Sequence, residues 1–184
     1  MPVIICLLRG VNVGGHNQIK MDVLRALCVS LKFRDPQTYV QSGNVVFHSD
    51  EKDLAKLSCK IADSIERKCG FRPSVILRTA AEMHAVVARN PFAKRSGIEP
   101  GKLLVTFLAQ KPTREAANAL LQLKVSPEEL HLIGSELYIY FPVGAGKSKL
   151  NWSNLDKILK TTGTARNWNT VTKLLEMAES LEAS

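Results

Sequence analysis

The chain is sparing with the residues that build covalent or metal chemistry. It has four cysteines in 184 residues, Cys6, Cys28, Cys59 and Cys69. None forms a C-x-x-C pair, and their spacing fits no common zinc pattern. The histidines (His16, His48, His84, His131) make no H-x-x-H or H-E-x-x-H unit, so no protein metal site is expected. Cys6 lies in an apolar run and Cys28 on the apolar side of a helical stripe, which reads as buried free thiols in a reducing cytoplasm. A catalytic thiol would need a base and a cationic setting, and single thiols are more often packing residues. No apolar run approaches the roughly 18 residues of a membrane span. Met1-Pro2-Val3-Ile4-Ile5 has no basic stretch before its apolar part and does not read as a signal peptide. A cytoplasmic protein without a membrane partner is therefore expected.

Other chemistries are missing by pattern. The glycine stretch Gly10-Val11-Asn12 has Asn where a dinucleotide fingerprint needs its second glycine. Val143-Gly144-Ala145-Gly146-Lys147-Ser148 fails as a Walker A loop, because Phe141 stands at its first glycine. Residues 1–34 and 147–173 contain only the acids Asp22 and Asp156, with no paired carboxylates there, and no nucleophile elbow or Ser/His/Asp arrangement can be read from spacing. Aromatics make up 6%, and a split βαβ sheet from this sequence would carry only Phe47 on its central strands. Base stacking of the RNA-recognition kind is thus absent. No cofactor is expected, and no catalytic residue is assigned.

What is present is a globular composition, 45% hydrophobic and 23% charged, long enough for one large or two small domains. Val3 to Leu8 is an apolar run of strand length. Leu24, Leu27, Cys28 and Leu31 have helical spacing. Thr38 to Gln41 and Asn44 to Phe47 read as strands around the Ser42-Gly43 turn. Leu54, Leu57, Ile61, Ile65 and Cys69 form a second helical stripe, ended by Gly70, and Ser74 to Arg78 is a strand. Strand, helix, strand, strand, helix, strand is the ferredoxin-like order.

The order then nearly recurs. Thr79-Ala80-Ala81-Glu82 is a capping box opening a short helix. Asn90 to Gly101 is a loop rich in Pro and Gly. Leu103 to Leu108, Leu130 to Ile133 and Leu137 to Phe141 read as strands. Thr113 to Leu123, Asn154 to Lys160 and Val171 to Leu181 read as helices. The expected architecture is α+β, with two ferredoxin-like halves in tandem and C-terminal helices, the second half lacking its last strand. The expected boundaries are 1–79, a linking helix and loop at 80–101, and 102–184. The first strand of each half is apolar at consecutive positions, so both of its faces should be covered. The second half, the C-terminal helices or a second subunit would serve, which leaves homo-oligomerisation open.

The formal charge is +8 and unevenly spread. Residues 1–34 hold five basic side chains against one acid, and residues 147–173 hold six against one. The remainder nets −1. The same two segments carry the densest polar clusters, Arg9 to Asn17 and Arg166 to Thr170. The first follows a strand and precedes a helix, so its glycines bring free N–H groups near a helix start, a setting that favours an anion. Turn bracing by its Asn side chains is the bland alternative. Lys147-Ser148-Lys149 is attractive to phosphate or simply solvated. Asn169 or Thr170 should cap the last helix, with Trp168 a buried plug and Arg166 aimed at an anion beside the helix end. At the Gln41-Ser42-Gly43-Asn44 turn, Gln41 is the residue that turn chemistry leaves over.

The stretches Leu7 to Gly15, Thr38 to Phe47, Asn90-Pro91-Phe92 and Thr164 to Val171 together resemble the bacterial domain-of-unknown-function 1697 family. The resemblance covers nearly the whole chain. It implies an α+β fold with ferredoxin-like parts and carries no established activity.

The leading expectation is a protein that binds an anionic, phosphorylated small ligand or nucleotide in a pocket shared by the two clusters. The ligand-binding set is Arg9, Asn12, Asn17, Gln41, Ser42, Asn44, Lys147, Ser148, Lys149, Arg166, Asn167, Trp168 and Asn169. Within it, Arg9, Asn12, Gln41, Lys147, Lys149 and Arg166 should face the ligand, while Asn17 and Trp168 brace. The alternatives are a basic protein associated with nucleic acid, an enzyme acting on a phosphorylated small molecule, and a structural protein whose motifs serve folding only.

Overall fold

The structure is a computed structural model that describes residues 1–184. It is a mixed α+β fold with two four-stranded antiparallel sheets. The first six elements are β1 (Val3–Arg9), α1 (Met21–Ser30), β2 (Arg34–Tyr39), β3 (Asn44–His48), α2 (Leu54–Cys69) and β4 (Ser74–Thr79). Then come α3 (Ala80–Ala88), β5 (Leu103–Leu108), α4 (Arg114–Leu121), β6 (Glu129–Ile133), β7 (Glu136–Tyr140), α5 (Trp152–Leu159), β8 (Gly163–Asn167) and α6 (Trp168–Glu182). The sheet orders are β2-β3-β1-β4 and β6-β7-β5-β8. No helix is long and apolar enough to cross a membrane.

β8 corrects the expectation that the second half lacks its last strand. It pairs antiparallel with β5 from Leu104–Asn167 to Leu108–Gly163. Its sequence, Gly-Thr-Ala-Arg-Asn, has no apolar run, and a strand formed by long-range pairing needs none. The chain divides into two compact units, residues 1–85 with 172–184, and residues 86–171. This differs from boundaries at 79 and 101: α3 and α6 each cross the division, and the end of α6 joins the first unit.

In unit 1 the apolar stripes of the two helices pack on one face of the sheet. Ile4, Cys6 and Leu8 of β1 meet Leu24, Leu27 and Cys28 of α1 and Leu57, Ile61 and Ile65 of α2. The other side of β1, Val3, Ile5 and Leu7, is also buried, as its unbroken apolar run requires. Asp53 caps α2 by accepting from Ala55 N and Lys56 N, and Gly70 ends it at φ +78°. Unit 2 has a smaller core of Leu108, Leu120, Leu137, Ile139, Phe141, Leu155 and Leu159. Buried Tyr138 donates its hydroxyl to Val86 O at 2.7 Å. Burial lifts that hydroxyl above the usual phenol range.

The two sheets repeat each other around their central strands. Leu8 N donates to Gly43 O at 2.9 Å, and Leu108 N donates to Ser135 O at 2.9 Å. Ile5 pairs with Arg78 on β4, and Val105 pairs with Arg166 on β8. The residue after each arginine, Thr79 or Asn167, accepts from a first-turn amide of the helix that follows.

Candidate polar site at the hairpin end of the first sheet

Arg9 closes β1, with Ser74 of β4 opposite it and the β2–β3 turn on its other side. Continuing the register of Leu7 with Asn44 brings Ser42 level with Arg9. Alternation along a strand puts Arg9, Asn44 and Ser74 on the sheet face away from α1 and α2, and Ser42 joins them through its bond from Asn44. Arg9 is half-buried, and one of its guanidinium nitrogens is shielded from solvent. Asn44 is fully buried; its amide donates to Tyr39 O at 3.0 Å and Ser42 Oγ at 2.9 Å, closing the turn. Gln41 stands exposed at the tip.

The loop between β1 and α1 is pinned to this turn. Asn12 donates from Nδ2 to Ile19 O at 2.9 Å and Gln41 O at 2.8 Å, and its Oδ1 accepts from Ile19 N at 2.8 Å. Asn17 donates from Nδ2 to Gly10 O at 3.1 Å. Within these staples, Val13 to His16 is a small hairpin closed by His16 N on Val13 O. Positive φ at Gly14 and Gly15 makes its turn type I′. The glycines are therefore a protruding turn six residues before α1, and not a cradle at its first amides. α1 starts after Lys20, which supplies no side-chain cap.

Six of the expected residues thus come together at one sheet end: Arg9, Asn12, Asn17, Gln41, Ser42 and Asn44. Their roles differ from expectation in one respect. Asn12 was expected to face a ligand, but both its donors and its acceptor hold backbone. It braces, as Asn17 does.

In unit 2 the expected residues separate. Lys147 is exposed, and Ser148 Oγ accepts from Leu150 N at 3.0 Å. Lys149 lines a small polar cavity of about 190 Å³ beside the loop that leads into β6, with Lys124, Ser126 and buried Glu128. Arg166 lies on β8, the edge strand opposite β6, and does not line that cavity. It is 8% exposed and donates to Thr164 Oγ1 at 2.7 Å and Ala165 O at 2.9 Å. These two bonds tie it to its own strand. The cap of α6 is Asn167, whose Oδ1 accepts from Thr170 N at 2.9 Å, and not Asn169 or Thr170. Asn169 is exposed, and Trp168, the first residue of α6, is half-buried.

One arginine escaped the sequence reading. Arg78 holds the place in the first sheet that Arg166 holds in the second, and it likewise donates to the carbonyl of the residue before it, Leu77 O at 2.8 Å. The signal was available: Leu77-Arg78-Thr79 and Ala165-Arg166-Asn167 are each a strand residue, an arginine and a helix cap. No group of three or more His, Cys, Asp or Glu side chains is placed to hold a metal ion.

The Arg9–Gly15 loop, the Gln41–Asn44 turn and Asn90-Pro91-Phe92 all lie within residues 1–138, the span matched by the family described as Protein of unknown function (DUF1697). The chain belongs to the DUF1697 family. The matched span holds all of the hairpin-end site; β8 and α6 lie beyond it. A conserved bacterial protein from Streptococcus pneumoniae has a similar structure, with a TM-score of 0.74 over 96% of this chain and 98% of that one. The two are 22% identical, so the likeness concerns the DUF1697 fold alone. No curated protein matches the chain.

Proposed function

We propose that this DUF1697 protein binds an anionic, phosphorylated small ligand at the hairpin end of its first sheet. Arg9 supplies the charge, Gln41 a neutral contact, and the exposed amides of Gly14 and Gly15 the remaining donors. Asn12, Asn17 and Asn44 hold the frame. The supporting observation is how much structure this connection carries. Gly10, Asn12, Gly14, Gly15 and Asn17 all adopt positive φ, a strained choice for the asparagines. Unit 2 makes the corresponding link, residues 109–113, with none of this. An exposed loop so heavily braced is over-specified for a connector, and ordered surface loops of this kind are where binding residues concentrate. The reading is confined to unit 1 and asks nothing of Lys147, Lys149 or Arg166.

The same reading takes each unit as ferredoxin-like, which the strand-helix-strand-strand-helix-strand order and the sheet orders support. It places the protein in a reducing cytoplasm, in keeping with four cysteines outside any disulfide, two of them buried.

The test is an NMR titration of amide-labelled protein with inorganic phosphate and with adenosine nucleotides. Shifts centred on Gly10 to Asn17 and Gln41, lost in Arg9→Gln, are expected. Shifts confined to other segments, or none at millimolar ligand, overturn the proposal.

A further inference from the structure

The groove between α1 and α2 in unit 1 plays no part in the hairpin-end site. Val23, Ala26, Leu27 and Ser30 line it from α1, the Ser30 hydroxyl being spent on Leu27 O at 2.7 Å, and Ser64, Arg67 and Lys68 line it from α2, around a cavity of about 480 Å³. Each set has i, i+3, i+4 spacing, so each helix offers one continuous ridge. The volume falls within the roughly 300–1,000 Å³ of small-molecule sites.

The charge in this groove is uncompensated. The acids of the same helix, Asp63 and Glu66, are both taken by Arg72. Arg67 and Lys68 enter no ion pair. Cations in the last turn of α2 complement its C-terminal carbonyls, but that accounts for their sign and not for their place beside an apolar floor. Mostly apolar on one wall and doubly cationic on the other, the groove matches a ligand with one apolar and one anionic half.

We propose that the α1–α2 groove binds a small anionic amphiphile, an aliphatic carboxylate. Its chain lies on Val23, Ala26 and Leu27, and its head group meets Arg67 and Lys68. The site is separate from the hairpin end and independent of the ligand proposed there. Isothermal titration calorimetry of the full chain with octanoate, and with 1-octanol as the uncharged control, tests it. Octanoate should bind saturably and 1-octanol about tenfold more weakly, the worth of one charge-assisted contact. The double variant Arg67→Gln/Lys68→Gln, which changes only exposed positions, should weaken octanoate to the level of 1-octanol. Ala26→Phe, at an exposed helix position, should fill the floor and remove binding of both. No octanoate binding at millimolar concentration, equal binding of the two ligands, or an unchanged affinity in the double variant overturns the proposal.

Discussion

Leu8 and Leu108 occupy the same place in their sheets, and each donates its amide to a hairpin-turn carbonyl at 2.9 Å. Beyond that shared bond the two ends diverge. In unit 2 the chain leaves β5 through plain ties, Ala109 N on Thr162 O and Gln110 N on Thr161 Oγ1, and enters α4 at its Thr113 cap. In unit 1 it runs out into a miniature hairpin stapled by two asparagines. A repeated frame separates what the fold requires from what has been added to it. The fold requires the turn bond, the arginine opposite the central strand and the cap after it. The asparagine-braced loop is an addition, and the proposed anion site is built on that addition.

The largest expected effect tests the turns. A Cβ on Gly43 would lie 2.5 Å from Val11 Cγ2 and 2.8 Å from Leu8 Cβ, at a φ of +74°. Gly43→Ala should cost about 3 kcal/mol, combining overpacking with left-handed strain. Gly134→Ala in the other hairpin meets nothing closer than 3.8 Å and should cost about 1 kcal/mol. Denaturant unfolding measures both, and equal costs would erase the contrast. Next comes the loop. Asn12→Ala removes three hydrogen bonds and should destabilise by about 2 kcal/mol, with limited proteolysis cutting first between Gly10 and Ile19.

A third prediction uses alkali. All four cysteines lie in unit 1, and burial pushes the Cys28 thiol up to about 12 from 9.0. The raised value means that folding favours the protonated thiol. Its contribution is full below pH 9 and fades as pH rises toward 12. The loss between pH 9 and 10 should be about 1 kcal/mol, and Cys28→Ala should flatten that slope in pH-dependent unfolding. The smallest effect concerns the matched caps. Thr79→Ala before α3 and Asn167→Ala before α6 should each cost about 1 kcal/mol. A large inequality in thermal melts would argue against their equivalence.

Legibility followed the range of the interactions. The stripe Leu57, Ile61 and Ile65 and the stop at Gly70 are local, and α2 stands where they put it. β8 is not local: Thr164 and Arg166 become strand residues only through Phe107 and Val105, far back in the chain. β2 runs from Arg34 to Tyr39 instead of Thr38 to Gln41, because pairing with β3 overrides Pro36 through a register shift. The place of the polar site was readable, since glycines, asparagines and charge cluster there. The task of Asn12 was not, because one of its partners, Gln41 O, is 29 positions away.

The return of residues 172–184 to unit 1 sets an order of events. As the chain leaves the ribosome, the whole of unit 2 is made before the first unit has its last segment. Unit 1 begins first and is completed second, while the later-made unit is the one whose sequence is uninterrupted. Domains usually fold in order of synthesis; here the uninterrupted unit is free to fold while its elder waits. A truncation within α6 would therefore strip residues from the unit that is begun first.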